Sequence, residues 1–340
     1  PSSITLINEA IHPLPLDPSG RVKANISTYL DYRPLTLRIP EKRSIFRIKS
    51  KLLHELRSWF IENEYLEITT PKIISAAAEG GAELFQIKYF NLDAYLAQSP
   101  QLYKEQLMLS VDKVFEIAQY YRAEKSHTTR HVTEFTSVDI EISFADYLDV
   151  IKTINILIQE TTKKLVENTN EELKILEVMP PQSEEETPII TYKECIDFLN
   201  ERDFELKWGD DIGIDALKIL AEGYPGYYYI IDWPTETKPF YIKSKNNDKS
   251  ITESFDFMFG PTEIASGGTR IHNKEELEDK LRSKGLDVNQ FKQHTKFYDY
   301  GMPPHSGFGL GFDRLLQIMI RSENIRDVIL YPRDPERLIP

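Results

Sequence analysis

The stretch Phe115–Phe144, FEIAQYYRAEKSHTTRHVTEFTSVDIEISF, decides the fold. Two runs with strand-like alternation flank a polar loop rich in Lys, His and Arg. Successive strand side chains point to opposite faces, so Glu116, Ala118, Tyr120, Arg122 and Glu124 share one side of the first run. In the second run Val138, Ile140, Ile142 and Phe144 alternate against Phe135, Asp139 and Glu141. The apolar set is expected to face a core. That leaves a sheet surface carrying Arg122, Glu124, Phe135, Asp139 and Glu141, with Lys125, His127, Arg130 and His131 in the connection above it. Such a surface suits a ligand that is part phosphate, part planar base and part amine. Taken alone, the segment also reads as a two-stranded ribbon with a solvated charged face.

The rest of the chain bounds the choice. Its 340 residues, 41% hydrophobic, can bury a substantial core in one large or two ordinary domains. No run reaches the ~18 apolar residues that a membrane helix requires, and PSSITLINEA at the start lacks the basic and apolar regions of a signal peptide. A single cysteine, Cys195, excludes an intramolecular disulfide and a Cys-based zinc site, and points to a reducing, cytoplasmic compartment. The net charge of −13 argues against a nucleic-acid footprint over the whole surface. The charge is uneven, however. Residues 1–60 carry ten Lys and Arg against five Asp and Glu, whereas residues 160–215 carry six against sixteen. A phosphate-bearing partner is expected to meet the first segment and the loop after Tyr121, and to avoid the second.

Taken in order, residues 1–35 read as the end of one unit, with a strand-like ITLI, followed by a proline-rich linker. From Ser44, Ile45, Ile48, Leu52, Leu56, Trp59 and Phe60 recur at helical spacing to about Asn63; YLEITTPKI then reads as a strand ending at Pro71. AAAEGGAELF, with Glu79 and Glu83, is either a surface turn or a lid over a pocket. After a short strand at Ala94–Ala97, QSPQLYKEQLM begins a helix with Ser99 as N-cap and Pro100 in its first turn, placing Gln98, Gln101 and Lys104 on one face. Tyr147–Val166 is a regular core helix, and residues 170–250 look like an acidic insertion packed on the main sheet, with a buried strand YYYIIDW and a further strand at TKPFYI. FDFMFGPTEIASGGTRIH puts Glu263 at a strand end, with Ser266 and Arg270 around a Gly-Gly bend. HSGFGLGFDRLLQIMI is a small-residue strand running into a helix whose first turn holds Asp313 and Arg314. Its G-x-G lacks the βαβ context and downstream acid of a dinucleotide fingerprint, and no GxxxxGK[ST] occurs, so a nucleotide must be held in another way.

With these segments in view, the chain resembles a class II aminoacyl-tRNA synthetase. Motif 1 resembles the helix and strand ending at Pro71, motif 2 is YRAEKSHTTRHVTEF and motif 3 is GFGLGFDRL, over about Val22–Pro340. Within the class it resembles aspartyl-tRNA synthetases of the archaeal and eukaryotic type, through QSPQLYK, TKPFY, GMPPHSGFGLGFDRL and YPRDPERLIP. Asparaginyl relatives typically carry glycine where this chain has Pro100. The resemblance implies an α+β catalytic fold over residues 36–340, a six- or seven-stranded antiparallel sheet flanked by helices, with a homodimer formed through motif 1.

It also implies roles. Arg122 holds the ATP α-phosphate, Glu124 meets the adenine amino group, and Phe135 and Arg314 sandwich the ring. Glu263 and Ser266 hold Mg²⁺ through oxygen ligands. Lys104 and Arg270 pair with the side-chain carboxylate of L-aspartate; Asp139, Gln101 and Ser99 seat its ammonium, Lys238 adds positive charge, and Ser266 belongs to the aspartate site as well as to the metal site. Glu79 belongs to a flipping loop, while His127, Arg130 and His131 belong to the motif 2 loop that meets ATP and the tRNA acceptor end. Arg122 and Arg314 are the catalytic pair. One departure is that relatives begin with an anticodon-binding OB-fold, of which only a last strand and hinge are expected in residues 1–35. The expected function is therefore aspartate activation with ATP and transfer to tRNA(Asp), with tRNA(Asn) as a further acceptor. The alternatives are an ammonia-using asparagine synthetase, an asparaginyl-tRNA synthetase, or a non-catalytic module.

Overall fold

The computed structural model describes residues 2–75, 84–125, 128–183 and 186–340. Its described strands are β1 (Leu66–Glu67), β2 (Ile73–Ile74), β3 (Gln86–Tyr89), β4 (Leu92–Leu96), β5 (Lys113–Tyr121), β6 (Glu134–Ser143), β7 (Ile189–Thr191), β8 (Tyr227–Ile231), β9 (Ser254–Phe259), β10 (Thr262–Thr269) and β11 (His305–Gly311). The decisive stretch supplies β5 and β6, paired antiparallel with Glu116 opposite Asp139, Ala118 opposite Ser137 and Tyr120 opposite Phe135. Residues directly opposite one another share a face, so the polar set lies together as the alternation required. The main sheet runs β1-β5-β6-β11-β10-β9-β8-β7. It has eight strands rather than six or seven, because two short strands, β1 and β7, extend the edges in parallel pairing. All other pairs in it are antiparallel.

The apolar face meets the helices Pro40–Glu62, Tyr147–Asn168 and Phe312–Met319. Ile48, Leu52, Leu56, Ile154, Leu157, Ile158 and Leu316 are wholly buried against Val138, Ile140, Phe308 and Leu310. Each such side chain stabilises the fold by about 1.5–3 kcal/mol relative to exposure. Proline opens the first of these helices, where its missing N–H costs nothing. A reciprocal box between Asp146 and Asp149 opens the second, typically contributing about 1 kcal/mol.

Several local expectations change. YLEITTPKI does not form one strand: β1 ends at Glu67, and Thr70 turns its backbone N–H and hydroxyl to the buried Glu116 carboxylate at 2.9 and 2.7 Å. TKPFYI is a turn whose Ile242 makes only an isolated bridge to Arg270. Ile4–Ile7 carries no strand. Gly267 and Gly268 lie within β10 rather than at a bend. There a Cβ on Gly267 would fall on the Gly307 carbonyl, and one on Gly307 would fall on the Ile140 carbonyl and the Glu141 carboxylate. These glycines thus admit neighbouring backbone and a buried acid, as side chains could not.

Within residues 170–250, the helix Asn170–Leu176 joins the main core through Leu173. The helices Tyr192–Asn200 and Ile214–Gly223 enclose a second apolar cluster with β7 and the outer face of β8. Cys195 is sealed inside it, and burial pushes its thiol up to about 12, which leaves it inert. Ahead of the first long helix, Arg33 is buried and donates to the carbonyls of Arg326, Ile329 and Leu330. Among the described residues no helix is long and apolar enough to cross a membrane.

Candidate active site

The second face of the sheet is hollowed into a cleft of about 320 Å³ over β6, β10 and β11. Its floor and walls hold most of the residues singled out in the sequence: Ser99, Gln101, Arg122, Glu124, Arg130, His131, Phe135, Asp139, Lys238, Glu263, Ser266, Arg270 and Arg314. Glu79 and His127 lie outside the described residues.

One end of the cleft is cationic and aromatic. Arg122 leaves β5 with its N–H bonded to the Thr133 carbonyl at 2.9 Å, and its guanidinium stands 5.2 Å from the Phe135 ring centroid. Its nearest acid, Glu124, is 4.0 Å away and also lies 3.9 Å from the His131 Nε2. Partial burial and the nearby positive charge of Arg314 hold His131 below the ordinary histidine value, so the ring is neutral at neutral pH. Arg314 donates to the Glu263 carbonyl at 3.1 Å, and Arg130 donates to that of Pro261 at 3.1 Å. Arg314 also lies 3.9 Å from the Glu263 carboxylate. At 3.9–4.0 Å these carboxylates of the described residues are only loosely paired with Arg314 and Arg122, which leaves both guanidinium groups able to meet an anion. Asp313, next to Arg314, ties the three motif regions together. It accepts from Lys49 of the first long helix at 2.7 Å and from the Thr136 N–H of β6 at 2.8 Å.

Midway along, Glu263 and Ser266 both face the cleft although they stand three residues apart. Regular alternation would put them on opposite sides; a bulge between Glu263 and Ala265 buries Ile264 and Ala265 in succession and restores both to one side. Ser266 is in register with Asp256 of β9, a residue the sequence reading passed over although it interrupts the apolar run FDFMF. Asp256 accepts from Lys238 at 2.7 and 2.8 Å, so Lys238 is neutralised within the cleft rather than a free charge. The Glu263 side chain is 46% accessible, yet the cleft walls withdraw enough water to raise its pKa, and the charge of Asp256 raises it further. Among the described residues no three His, Cys, Asp or Glu side chains converge on a metal position. Two adjacent carboxylates and a hydroxyl nonetheless fit a hard cation whose other ligands are phosphate oxygens and water, as Mg²⁺ prefers.

The other end is a buried ion network. Arg270 meets Glu141 with two hydrogen bonds, 2.9 and 3.2 Å. Lys104 donates to Asp139 at 2.9 Å and to the Phe308 carbonyl at 3.0 Å, and stands 3.6 Å from Glu141. Asp139 also accepts from Ser137 at 2.6 Å. Lys104, only 1% exposed, is beneath the cleft floor rather than on its wall; helix geometry brings it to the face expected, but Asp139 and Glu141 already claim its ammonium. The pairing of Arg270 with Glu141, and the acid Glu105 below Gln101, were not foreseen. The sequence reading had placed Glu141 on the charged face without assigning it a partner.

A family model described as tRNA synthetases class II (D, K and N) matches residues 25–335. The aspartate-tRNA(Asp/Asn) ligase of Sulfurisphaera tokodaii is 44% identical over 99% of this chain and 79% of its own length. The aspartate-tRNA(Asp) ligase of Thermoplasma acidophilum is 41% identical over 100% of this chain and 79% of its own. Among solved structures, the asparaginyl-tRNA synthetase of Pyrococcus horikoshii complexed with asparaginyl-adenylate superposes with a TM-score of 0.89 at 33% identity, covering 93% of this chain and 74% of that one. The cleft, its motif residues and these matches agree: the chain belongs to the class II tRNA synthetases of the D, K and N group.

Proposed function

We propose that this chain activates L-aspartate with ATP and transfers the aspartyl group to the 3′ end of tRNA(Asp), with tRNA(Asn) as a further acceptor. The observation that carries the reading is one cleft with loosely paired arginines beside an aromatic ring at one end and the Arg270–Glu141 and Lys104–Asp139 pairs at the other. Its high identity to ligases named for aspartate supports the choice of amino acid.

In this reading Phe135 stacks on adenine and Arg314 covers the other face of the ring, while Glu124 accepts from its amino group. Arg130 and His131 border the triphosphate. Arg122 holds the α-phosphate, its guanidinium standing beside the Phe135 ring on which the base stacks. At the opposite end Arg270 recognises the aspartate side chain, and Lys104 acts from beneath by setting the positions of Asp139 and Glu141. Ser99, Gln101 and Asp139 seat the ammonium, and Lys238 moderates the charge of Asp256. The aspartate α-carboxylate attacks the α-phosphorus in line and pyrophosphate departs, with Arg122 stabilising the charge that develops. The tRNA terminal hydroxyl then attacks the acyl carbon of the mixed anhydride, giving up its proton as the bond to phosphate breaks and AMP departs. Glu263, Ser266 and the newly identified Asp256 would hold Mg²⁺, which supplies neutralising charge to the phosphates. We assign residues 36–340 to catalysis and residues 1–35 to the hinge side, and place the protein in the cytoplasm. Ile61, Leu66 and Ile73, 57%, 52% and 47% exposed around motif 1, support pairing with a second copy there.

Pyrophosphate exchange into ATP is expected with aspartate and not with asparagine, and aspartyl-tRNA is expected to form when tRNA is added. Exchange with asparagine alone would overturn the choice of amino acid; asparagine formed from aspartate and ammonia would overturn the choice of acceptor. A second expectation concerns pH. Protonating Glu263 competes with cation binding, and its raised pKa moves that competition to higher pH than for an ordinary glutamate. The magnesium concentration giving half-maximal exchange should therefore climb as pH is lowered from about 7 toward about 5. A magnesium requirement flat across that interval would remove Glu263 from the metal site.

A further inference from the structure

Behind the amino-acid end of the cleft lies a buried group that the proposed mechanism does not use. Glu105, fully buried in the helix Gln101–Leu107, is surrounded by donors. Gln101 Nε2 donates to its Oε1 at 2.6 Å, and the Tyr298 hydroxyl donates to Oε2 at 3.0 Å. His294 Nε2 stands 3.4 Å from the same oxygen and His305 Nε2 stands 3.9 Å from it, while the His305 Nδ1 is held by the Pro303 carbonyl at 2.8 Å. Burial alone would raise the Glu105 carboxyl; the close His294 and the more distant His305 outweigh that and hold the group well below the ordinary range.

An ionised carboxylate accepts and cannot donate. Gln101, whose side chain also lines the cleft, can satisfy it only by turning its NH₂ inward. The amide oxygen and the second N–H are then left over, and the hydrogen bonds of the described residues include none to that oxygen. Reversing the amide would set its oxygen against Glu105 and present two N–H donors to the cleft. An acceptor at that place suits a cationic ammonium and a donor repels it.

We infer that Glu105, with Tyr298, His294 and His305 behind it, is a positioning residue that locks the Gln101 amide with its oxygen toward the cleft, as acceptor for the α-ammonium of the amino-acid substrate. The inference rests on the aspartate-activating reading and adds to it the device that sets the polarity of the ammonium seat.

The test is exchange kinetics on Glu105→Gln, Gln101→Leu and the double variant, with folding checked by urea unfolding. Glu105→Gln keeps the shape but can donate, which releases Gln101 to flip. The KM for aspartate should rise about ten- to hundredfold, the range expected for losing a hydrogen bond to a charged group, with the KM for ATP unchanged. Gln101→Leu should give a similar rise, and the double variant should add little to either, because both act through one atom. Additive effects, or equal changes in the two KM values, would overturn the inference. If Glu105→Gln does not fold, Gln101→Leu decides: an unchanged KM for aspartate overturns the inference. A wild-type chain without aspartate-dependent exchange would overturn the functional reading and this inference with it, whereas an active wild type with an unaffected Glu105→Gln overturns the inference alone.

Discussion

Arg122→Ala is expected to lower aspartate-dependent pyrophosphate exchange by about 10²–10³-fold, the loss typical of removing one preorganised donor from a developing charge. The protein should remain folded. Arg122 is 42% exposed, Glu124 is 4.0 Å away, and its guanidinium stands beside the Phe135 ring. Exposed ion pairs contribute about 0–1 kcal/mol and an exposed cation–π contact about 0.5–1 kcal/mol, so unfolding in urea should shift little. The loss should appear mainly in kcat, because charge builds on the phosphate oxygens in the transition state. A variant retaining activity within a few-fold of wild type would show that another group meets the α-phosphate. Arg314 would be the first to test, as it lines the same cleft and its carboxylate contact, with Glu263, is a loose 3.9 Å.

How far the sequence carries the fold and site depends on how local the physics is. Alternation in Phe115–Phe144 gives the hairpin with its buried and polar faces as far as Ser143, because a strand's side-chain period is a property of the backbone alone. Phe144, expected with the core-facing set, is 77% exposed because β6 ends before it and its φ is positive. The same logic missed the joint exposure of Glu263 and Ser266, since the bulge that aligns them arises from pairing with β9, a partner not visible within the run. It read the Gly-Gly pair as a bend for a related reason: Gly267 is required by the closeness of Gly307 across the sheet and not by a turn. Lys104 was placed on the correct helical face, but its depth depends on Asp139, Glu141 and Phe308, which approach from other strands. Asp256 was legible in principle, because an aspartate inside FDFMF must find a partner or a cation. Lys238, eighteen residues earlier, is that partner.

Arg270→Ala should be the most damaging change to the amino-acid end, and for two separable reasons. Arg270 and Glu141 are 2% and 0% exposed and share two hydrogen bonds, so removing the guanidinium leaves a carboxylate in the core with only Lys104, 3.6 Å away and already bonded to Asp139, to answer it. Breaking a buried pair in this way costs about 3–5 kcal/mol, a large share of a domain's stability. Loss of exchange in this variant would therefore not by itself assign Arg270 to substrate recognition. Replacing both partners with apolar residues of similar volume, Arg270→Met with Glu141→Leu, removes the stranded charge while leaving Lys104 with Asp139. Such replacements are often neutral or stabilising. The double variant is expected to recover most of the stability lost in Arg270→Ala, read from its urea midpoint, yet to show no saturable dependence on aspartate while retaining ATP binding. Recovery of both stability and aspartate-dependent exchange would mean that the Arg270–Glu141 pair serves only to hold the sheet together, and that the aspartate side chain is recognised elsewhere in the cleft.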